Sequence, residues 1–287
     1  MVSDLRIKFF SDASQFLKGV QPFLLRREAE HCLILGLLDG LRSGEQWGAA
    51  PPLMALVEDR GEVAAVALMT PPHNLILSWT ADDSAIEAIA EELHAKGLAI
   101  PGVNSAANIA RKFAKEWSQL SGCTIRQDWA QRIYQLSRVT DESRSAGRLR
   151  EPYEHDRALV MKWRAAFAIE ADRTDPEQAT KAAAEPLQRS THLMLWEVEG
   201  IPVSMAGFTG RTPHGVRVAW VYTPPENRGK GFAGACVAAL SQKLLDEGRK
   251  FCFLYTDLTN PTSNHVYQTI GYEPVTDATV YSFSKEG

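Results

Sequence analysis

The chain contains the same order of three short strands and two turns twice, and this repeat limits the folds open to it. The strand-like segments are residues 53–57, 63–69 and 75–79 in the first half, and 193–198, 202–208 and 216–222 in the second. Turn residues separate them at matching places, and Trp79 falls where Trp220 does. The order predicts a diverged duplication, although three-strand meanders also occur in unrelated proteins.

Helical patterns lie beside both sets of strands. Apolar residues recur at helical spacing in residues 23–38, 84–96, 108–120 and 156–170. The polar stretch 139–148 lacks this periodicity and is typical of a linker. The pattern predicts an α+β (mixed α/β) chain of 287 residues with two similar domains, residues 1–140 and 147–287.

Composition and charge exclude several classes of protein. A net charge of −4 and a pI near 6.0 argue against a nucleic-acid partner. The sequence has neither an apolar run of the ~20 residues needed to cross a bilayer nor a secretory signal at its start. Its four cysteines, Cys32, Cys123, Cys236 and Cys252, form no C-x-x-C pair, which argues against a metal site, and their apolar neighbours predict small core residues. These features predict a cytoplasmic protein without a membrane partner.

A glycine-rich loop is the sharpest local motif. The strand 216–222 runs into Pro224 and Pro225, then into Arg228-Gly229-Lys230-Gly231, and then into an apolar helix that stops near Gly248. The first amides of a helix lack internal partners and carry the positive end of its dipole. Glycines let the backbone approach phosphates closely, so the loop predicts a pyrophosphate cradle.

The loop also imitates a dinucleotide fingerprint. Gly229, Gly231 and Gly234 spell G-x-G-x-x-G, and Asp257 follows about 20 residues later, as in the fingerprint. However, residues 224–228 separate the strand from the first glycine, and too little chain follows to complete a doubly wound sheet. The fingerprint is therefore the weaker interpretation.

Two motifs in the second half resemble the signatures of the GNAT superfamily of N-acetyltransferases. The loop from Arg228 to Ala233 looks like the acetyl-CoA signature, and residues 260–272, an Asn followed by a helix with a Tyr and a Gly-aromatic end, resemble the second. The resemblance covers roughly residues 147–283. The first half is similar only in strand order and lacks the loop, which implies two GNAT-like domains, the first degenerate, each a mostly antiparallel central sheet flanked by helices.

The resemblance implies roles for particular residues and acetyl-CoA as co-substrate. Backbone amides in the splayed strand end would bind the cofactor arm and the acetyl carbonyl, the loop would bind the pyrophosphate, and Tyr267 would protonate the departing thiolate. The implied cofactor-binding residues are Val221, Tyr222, Thr223, Arg228, Gly229, Lys230, Gly231, Phe232, Ala233, Asn260 and Asn264.

The implied reaction is direct attack of a primary amine on acetyl-CoA. Such an amine must lose a proton, and the candidates for the base are Glu170, Asp172, His214 and His265, none of which the sequence singles out. The acceptor is a small-molecule or peptide amine, and acyl length and oligomeric state stay open. A non-catalytic acyl-CoA sensor and, less favoured, a nucleotide-dependent oxidoreductase are the alternative functions.

Overall fold

A computed structural model describes residues 5–48, 50–140, 145–185, 187 and 191–284 of the chain. The chain forms two compact units. Unit 1 comprises Met1–Ile133, Tyr255–Asn260 and Pro274–Gly287, and unit 2 comprises Tyr134–Leu254 and Pro261–Glu273. Because each unit takes pieces from both halves, the division into residues 1–140 and 147–287 stays a prediction about the repeat. Of the predicted linker, residues 141–144 lie outside the described residues.

Unit 1 is a mostly antiparallel sheet with helices on both faces. Its strands follow the order β1-β2-β3-β4-β5-β12-β6, and the pairing of β4 with β5 is parallel. The strands are β1 Leu5–Phe10, β2 Leu53–Asp59, β3 Glu62–Met69, β4 Leu75–Leu77, β5 Gly102–Ala106, β6 Thr124–Leu136 (to Ile133) and β12 Glu273–Ser284 (from Pro274). The helices are α1 Ala13–Leu24, α2 Cys32–Arg42, α3 Ser84–Ala95 and α4 Ala107–Ser121.

Unit 2 repeats this architecture. Its strands follow the order β11-β10-β9-β8-β7, and the pairing of β10 with β11 is parallel. The strands are β7 Arg148–Arg150, β8 His192–Val198, β9 Ile201–Arg211, β10 Gly215–Tyr222 and β11 Phe251–Asp257 (to Leu254). The helices are α5 Arg157–Glu170, α6 Pro176–Ala184, α7 Phe232–Asp246 and α8 Pro261–Ile270. The predicted fold class is therefore confirmed.

Successive side chains along a strand point to opposite faces of the sheet, and each face of each sheet packs into its own hydrophobic core. In β3, Ala65 and Ala67 pack toward α3 and α4, whereas Val66 and Leu68 pack toward α1 and α2. In β8 of unit 2, Met194 packs with α7 and α8, while its neighbour Leu195 packs against α5. The same two-faced layering in both units is what a diverged duplication predicts. Among the helices that the structure describes, none is both long and apolar enough to cross a membrane.

The single helix predicted over residues 23–38 is wrong. The chain forms α1 and α2 there, with a short 3₁₀ turn, Leu25–Arg27, after α1. The charged residues Arg26, Arg27 and Glu30 fall in the break. Apolar residues on both sides of the break enter one core, so their periodicity mimics a continuous helix.

The last strand of the chain belongs to unit 1. β12 pairs antiparallel with β5, from Ala278 opposite Ala106 to Ser282 opposite Gly102, and it buries Val280 and Tyr281. Each buried apolar side chain contributes roughly 1.5–3 kcal/mol, so losing β12 removes a large share of the ~5–15 kcal/mol typical of a folded domain.

We therefore expect a fragment of residues 1–140 to lack a cooperative thermal transition when it is expressed alone, because β5 then has an open edge. Co-expression with residues 147–287 should restore the transition. Circular dichroism melting and size-exclusion chromatography check this result. A soluble 1–140 fragment that melts as sharply as the full chain would contradict it.

Candidate functional site

The parallel pairing between β10 and β11 is short. Among the described residues, it joins Gly215 to Phe251, Val216 to Cys252 and Arg217 to Phe253, and it goes no further. On its other side, β10 stays paired with β9, but the register shifts between Ala219 and Tyr222. The end of β10 therefore leaves β11 at a β-bulge, and its backbone lacks strand partners on the side facing β11.

Trp220 lies in this bulge with a φ of 59°, which is rare for a bulky residue. Such a conformation costs roughly 1–3 kcal/mol and persists only where its surroundings hold it. The Trp220 ring packs against Phe167 of α5, with ring centroids 5.4 Å apart, and Trp163 contacts Tyr222 at 6.2 Å. The α5 face thus fixes the strained end of β10.

The glycine loop brings the chain from β10 into α7 through two left-handed residues. Gly229 has a φ of 75°, and Gly231, the residue before α7, has a φ of 80°. A Cβ at Gly231 would lie 2.6 Å from Ser145 Oγ, whereas one at Gly229 would point into open space. The N-cap residue of α7 is Gly231 itself, which has no side chain to cap the helix, and no acidic residue lies in the first turn of α7. These features fit a pyrophosphate, since free amides, close backbone approach and the helix dipole all favour an anion.

The two cations of the loop bond to neighbouring groups. Arg228 donates through Nε to the Thr223 carbonyl at 2.9 Å and forms an ion pair with Glu170 at 2.6 Å. Lys230 Nζ donates to the Glu226 carbonyl at 2.9 Å. Both cations are exposed at the loop surface, and the ion pair with Glu170 offsets part of the charge of Arg228.

Tyr267 and Asn264 lie one turn apart on α8. Burial raises the pKa of Tyr267 to about 12. Its ring contacts those of Tyr134 and Tyr272, with centroids 6.4 and 6.0 Å away, and no described residue hydrogen-bonds its hydroxyl. Asn264 Oδ1 accepts a hydrogen bond from the Tyr134 hydroxyl at 2.9 Å. The Tyr267 hydroxyl is thus the uncommitted group of this cluster.

The predicted cofactor residues divide between the two units. The end of β10, the loop, the first residues of α7, and α8 all belong to unit 2, whereas Asn260 belongs to unit 1. Asn260 is exposed, and its backbone N–H donates to the Asp257 carbonyl at 3.1 Å, which closes the turn after β11. Its role at the cofactor stays a prediction.

The four candidate bases differ in their surroundings. Glu170 is engaged by Arg228. Asp172 is an exposed residue, yet the loss of water around its carboxyl raises its pKa to about 6. The His214 carbonyl accepts from the Lys250 amide in a turn, and His265 is exposed on α8. The raised pKa of Asp172 brings its carboxyl closer to the range of a base that accepts a proton near neutrality.

Two features of this region have no signal in the sequence. The bulge at Trp220 depends on strand register, which local patterns do not encode. Arg164 of α5 donates to the carbonyls of Ala182, Ala183 and Glu185 at 2.8–3.2 Å, and so fixes the end of α6 beside α5. Its guanidinium lies 6.0 Å from the Trp220 ring centroid, so α6, α5 and the bulge form one assembly.

Comparisons with known proteins agree with this architecture. Residues 198–282 match a family model described as FR47-like protein. A Drosophila protein of known structure is 13% identical over all of both chains, with a TM-score of 0.66. A GCN5-related N-acetyltransferase from Sphaerobacter thermophilus is 13% identical over 100% of this chain and 98% of its own, with a TM-score of 0.54.

A tandem GNAT protein from the clavulanic acid biosynthesis pathway also has a similar fold. It is 11% identical over 99% of both chains, with a TM-score of 0.53. No curated protein matches the chain by sequence. At these identities the likeness establishes the fold of the whole chain, and the family match covers most of β9 to β12.

Proposed function

We propose that this chain, which has the tandem GNAT fold, transfers an acetyl group from acetyl-CoA to a primary amine by direct attack. One observation carries the proposal. In unit 2, β10 parts from β11 at a bulge and leads, through residues 223–231, to a helix start with two left-handed glycines, the second of which is the N-cap. A strand with free amides next to an anion cradle suits a ligand with a polar arm and a pyrophosphate.

The chain would hold acetyl-CoA with backbone more than with side chains. The amides at the start of α7, from Gly231 to Ala233, would bind the pyrophosphate, with Arg228 and Lys230 supplying positive charge. The amides of Val221, Tyr222 and Thr223 would bond the arm, and Asn264 would add an amide side chain. Asn260 belongs to unit 1 and is not part of this set.

Acetyl-CoA would supply the acetyl group as an activated thioester. An amide at the end of β10, aimed at the acetyl oxygen, would stabilise negative charge that develops there. Tyr267 would give its proton to the leaving sulfur, and its raised pKa keeps that proton in place at neutral pH. Asp172 would take the proton from the acceptor amine, since Glu170 is already paired with Arg228.

The experiment is a screen of amine acceptors with purified protein and acetyl-CoA, with release of free thiol as the signal. The proposal expects amine-dependent thiol release and a rise in melting temperature with acetyl-CoA but not with NAD. Stabilisation by acetyl-CoA without turnover of small amines, amino acids or peptides would favour the acyl-CoA sensor instead. Stabilisation by NAD alone would favour the oxidoreductase.

A further inference from the structure

Unit 1 contains the same strand split as unit 2. The parallel pairing of β4 with β5 joins only Leu75 to Val103 and Ile76 to Asn104 among the described residues. β4 then ends at Leu77, and the chain continues through Ser78 and Trp79. Backbone amides beyond such a split need another acceptor, because an unpaired buried amide is costly. What occupies the split therefore decides what unit 1 can bind.

A histidine ring accepts a hydrogen bond from the backbone amide that follows this split. The Trp79 N–H donates to His31 Nε2 at 3.0 Å, and His31 Nδ1–H donates to the Leu24 carbonyl at 2.8 Å. The His31 ring stacks on Phe23, with centroids 6.0 Å apart and planes 19° apart, and only 2% of the residue is exposed. Both ring nitrogens are thus committed, which requires the neutral Nδ1–H tautomer.

We infer that the His31 imidazole is the built-in occupant of the split in unit 1, where it bonds the strand-end amide that an acyl-CoA arm would bond in unit 2. The comparison with unit 2 rests on the proposed function, but the role of His31 does not depend on it. Because the His31 ring already bonds this amide, the strand split in unit 1 is not open to the arm of an acyl-CoA. Acidic Asp82 and Asp83 follow Trp79 in place of a glycine loop, so nothing there favours a phosphate.

A pocket beside the ring leaves a route to it from solvent. Glu30, Trp79, Asn104 and Tyr255 line this pocket together with His31. Arg27 stacks over the Trp79 ring at 4.2 Å and pairs with Glu30 at 2.8 Å, so these charges offset one another at the pocket. Truncation of His31 would enlarge this pocket, so a small heterocycle added in solution is the probe for the space that the ring leaves.

Chemical rescue tests the inference. His31→Gly should lower the melting temperature by roughly 5–10 °C, as expected for a lost buried ring in a protein of this size. Imidazole at tens of millimolar should restore at least half of that loss. Pyrrole has the ring and the N–H donor but no acceptor nitrogen, so it should restore little. His94→Gly, at an exposed position of α3, is the control and should gain nothing from imidazole.

Equal rescue by imidazole and pyrrole, or no rescue by either, would overturn the inference, because the ring would then only fill space or have no replaceable role. The result does not involve acetyl-CoA. If imidazole rescues the variant but the protein binds no acetyl-CoA, the inference about His31 holds and the proposed function is wrong. If the protein is an active acetyltransferase but imidazole does not rescue the variant, the proposed function holds and the inference is wrong.

The pH dependence of stability gives a readout that does not require the glycine variant to fold. Burial lowers the pKa of His31, and the charged or titratable groups facing it are Arg27, Glu30 and Tyr255. Below about pH 6.5, His31 therefore binds a proton more readily in the unfolded chain than in the folded one. The free energy of unfolding that His31 contributes is complete above that pH and falls as the pH drops.

His31→Gln keeps an acceptor without a titrating group and should flatten this fall between pH 6.5 and pH 5. Nitrogen-15 chemical shifts of the parent protein should show the Nδ1–H tautomer persisting below pH 6. A freely titrating His31 with an ordinary pKa would overturn the inference.

Discussion

Replacing Gly231 with valine should lower the affinity for acetyl-CoA by at least roughly 100-fold while the chain stays folded. Gly231 precedes α7 with a φ of 80°, a conformation that β-branched residues disfavour. The valine side chain would also stand where the backbone must approach a phosphate. Loss of the bonds from two amides to a charged group, at about 1.5–3 kcal/mol each, accounts for a change of this size.

Gly248→Val is the matched control for backbone strain. Gly248 follows the other end of α7 with a φ of 93°, and a Cβ there would meet nothing within 4 Å. Both variants should lose stability to a similar degree, but only Gly231→Val should lose acetyl-CoA affinity in a calorimetric titration. Parallel losses of affinity in both variants would mean that α7 strain, and not the cradle, controls binding.

Removing the hydroxyl of Tyr267 should reduce kcat by roughly 100-fold and change the affinity for acetyl-CoA by only a few-fold. Tyr267→Phe keeps the ring that packs between Tyr134 and Tyr272, so a cavity cannot explain the loss. The pKa of about 12 also means that the proton is present throughout the assay range. Ionisation of Tyr267 should therefore cause no decline of kcat below about pH 10.

Tyr272→Phe is the control for this prediction. Its hydroxyl is hydrogen-bonded to Ser241 Oγ at 2.8 Å inside the same core, so its loss should lower stability and leave kcat nearly unchanged. Steady-state kinetics at saturating acceptor separate the two outcomes. An unchanged kcat in Tyr267→Phe would identify Tyr267 as a core residue and favour water as the proton donor.

Local patterns predicted the elements that carry their own signal. The helices α3, α4, α5 and α7 and the strands β2, β3 and β8 to β10 follow from apolar periodicity and turn residues, whereas α8 was implied by the resemblance of residues 260–272 to a family signature. The four cysteines are buried and free, as their apolar neighbours predicted. The glycine loop and the start of α7 also lie at the predicted residues, because the conformation of a turn depends on the residues within it.

Long-range features of the structure left no mark that a single sequence reveals. The pairing of β12 with β5 joins residues more than 170 positions apart, from Ala278 to Ala106. The Trp220 bulge depends on the register of β10 against β9, and the ion pair of Arg228 with Glu170 depends on where α5 packs. His31 lay inside a stretch predicted as one helix, so its bond to Trp79 was out of reach.

We propose that the second half alone binds acetyl-CoA. Calorimetric titration of the full chain with acetyl-CoA tests it most directly, because the two units share a fold and a strand split. Unit 2 has the glycine loop before α7, whereas His31 takes the strand-end amide of unit 1. We expect one site per chain, lost in Gly231→Val and kept in His31→Gln. Two equivalent sites, or one site that survives Gly231→Val, would contradict it.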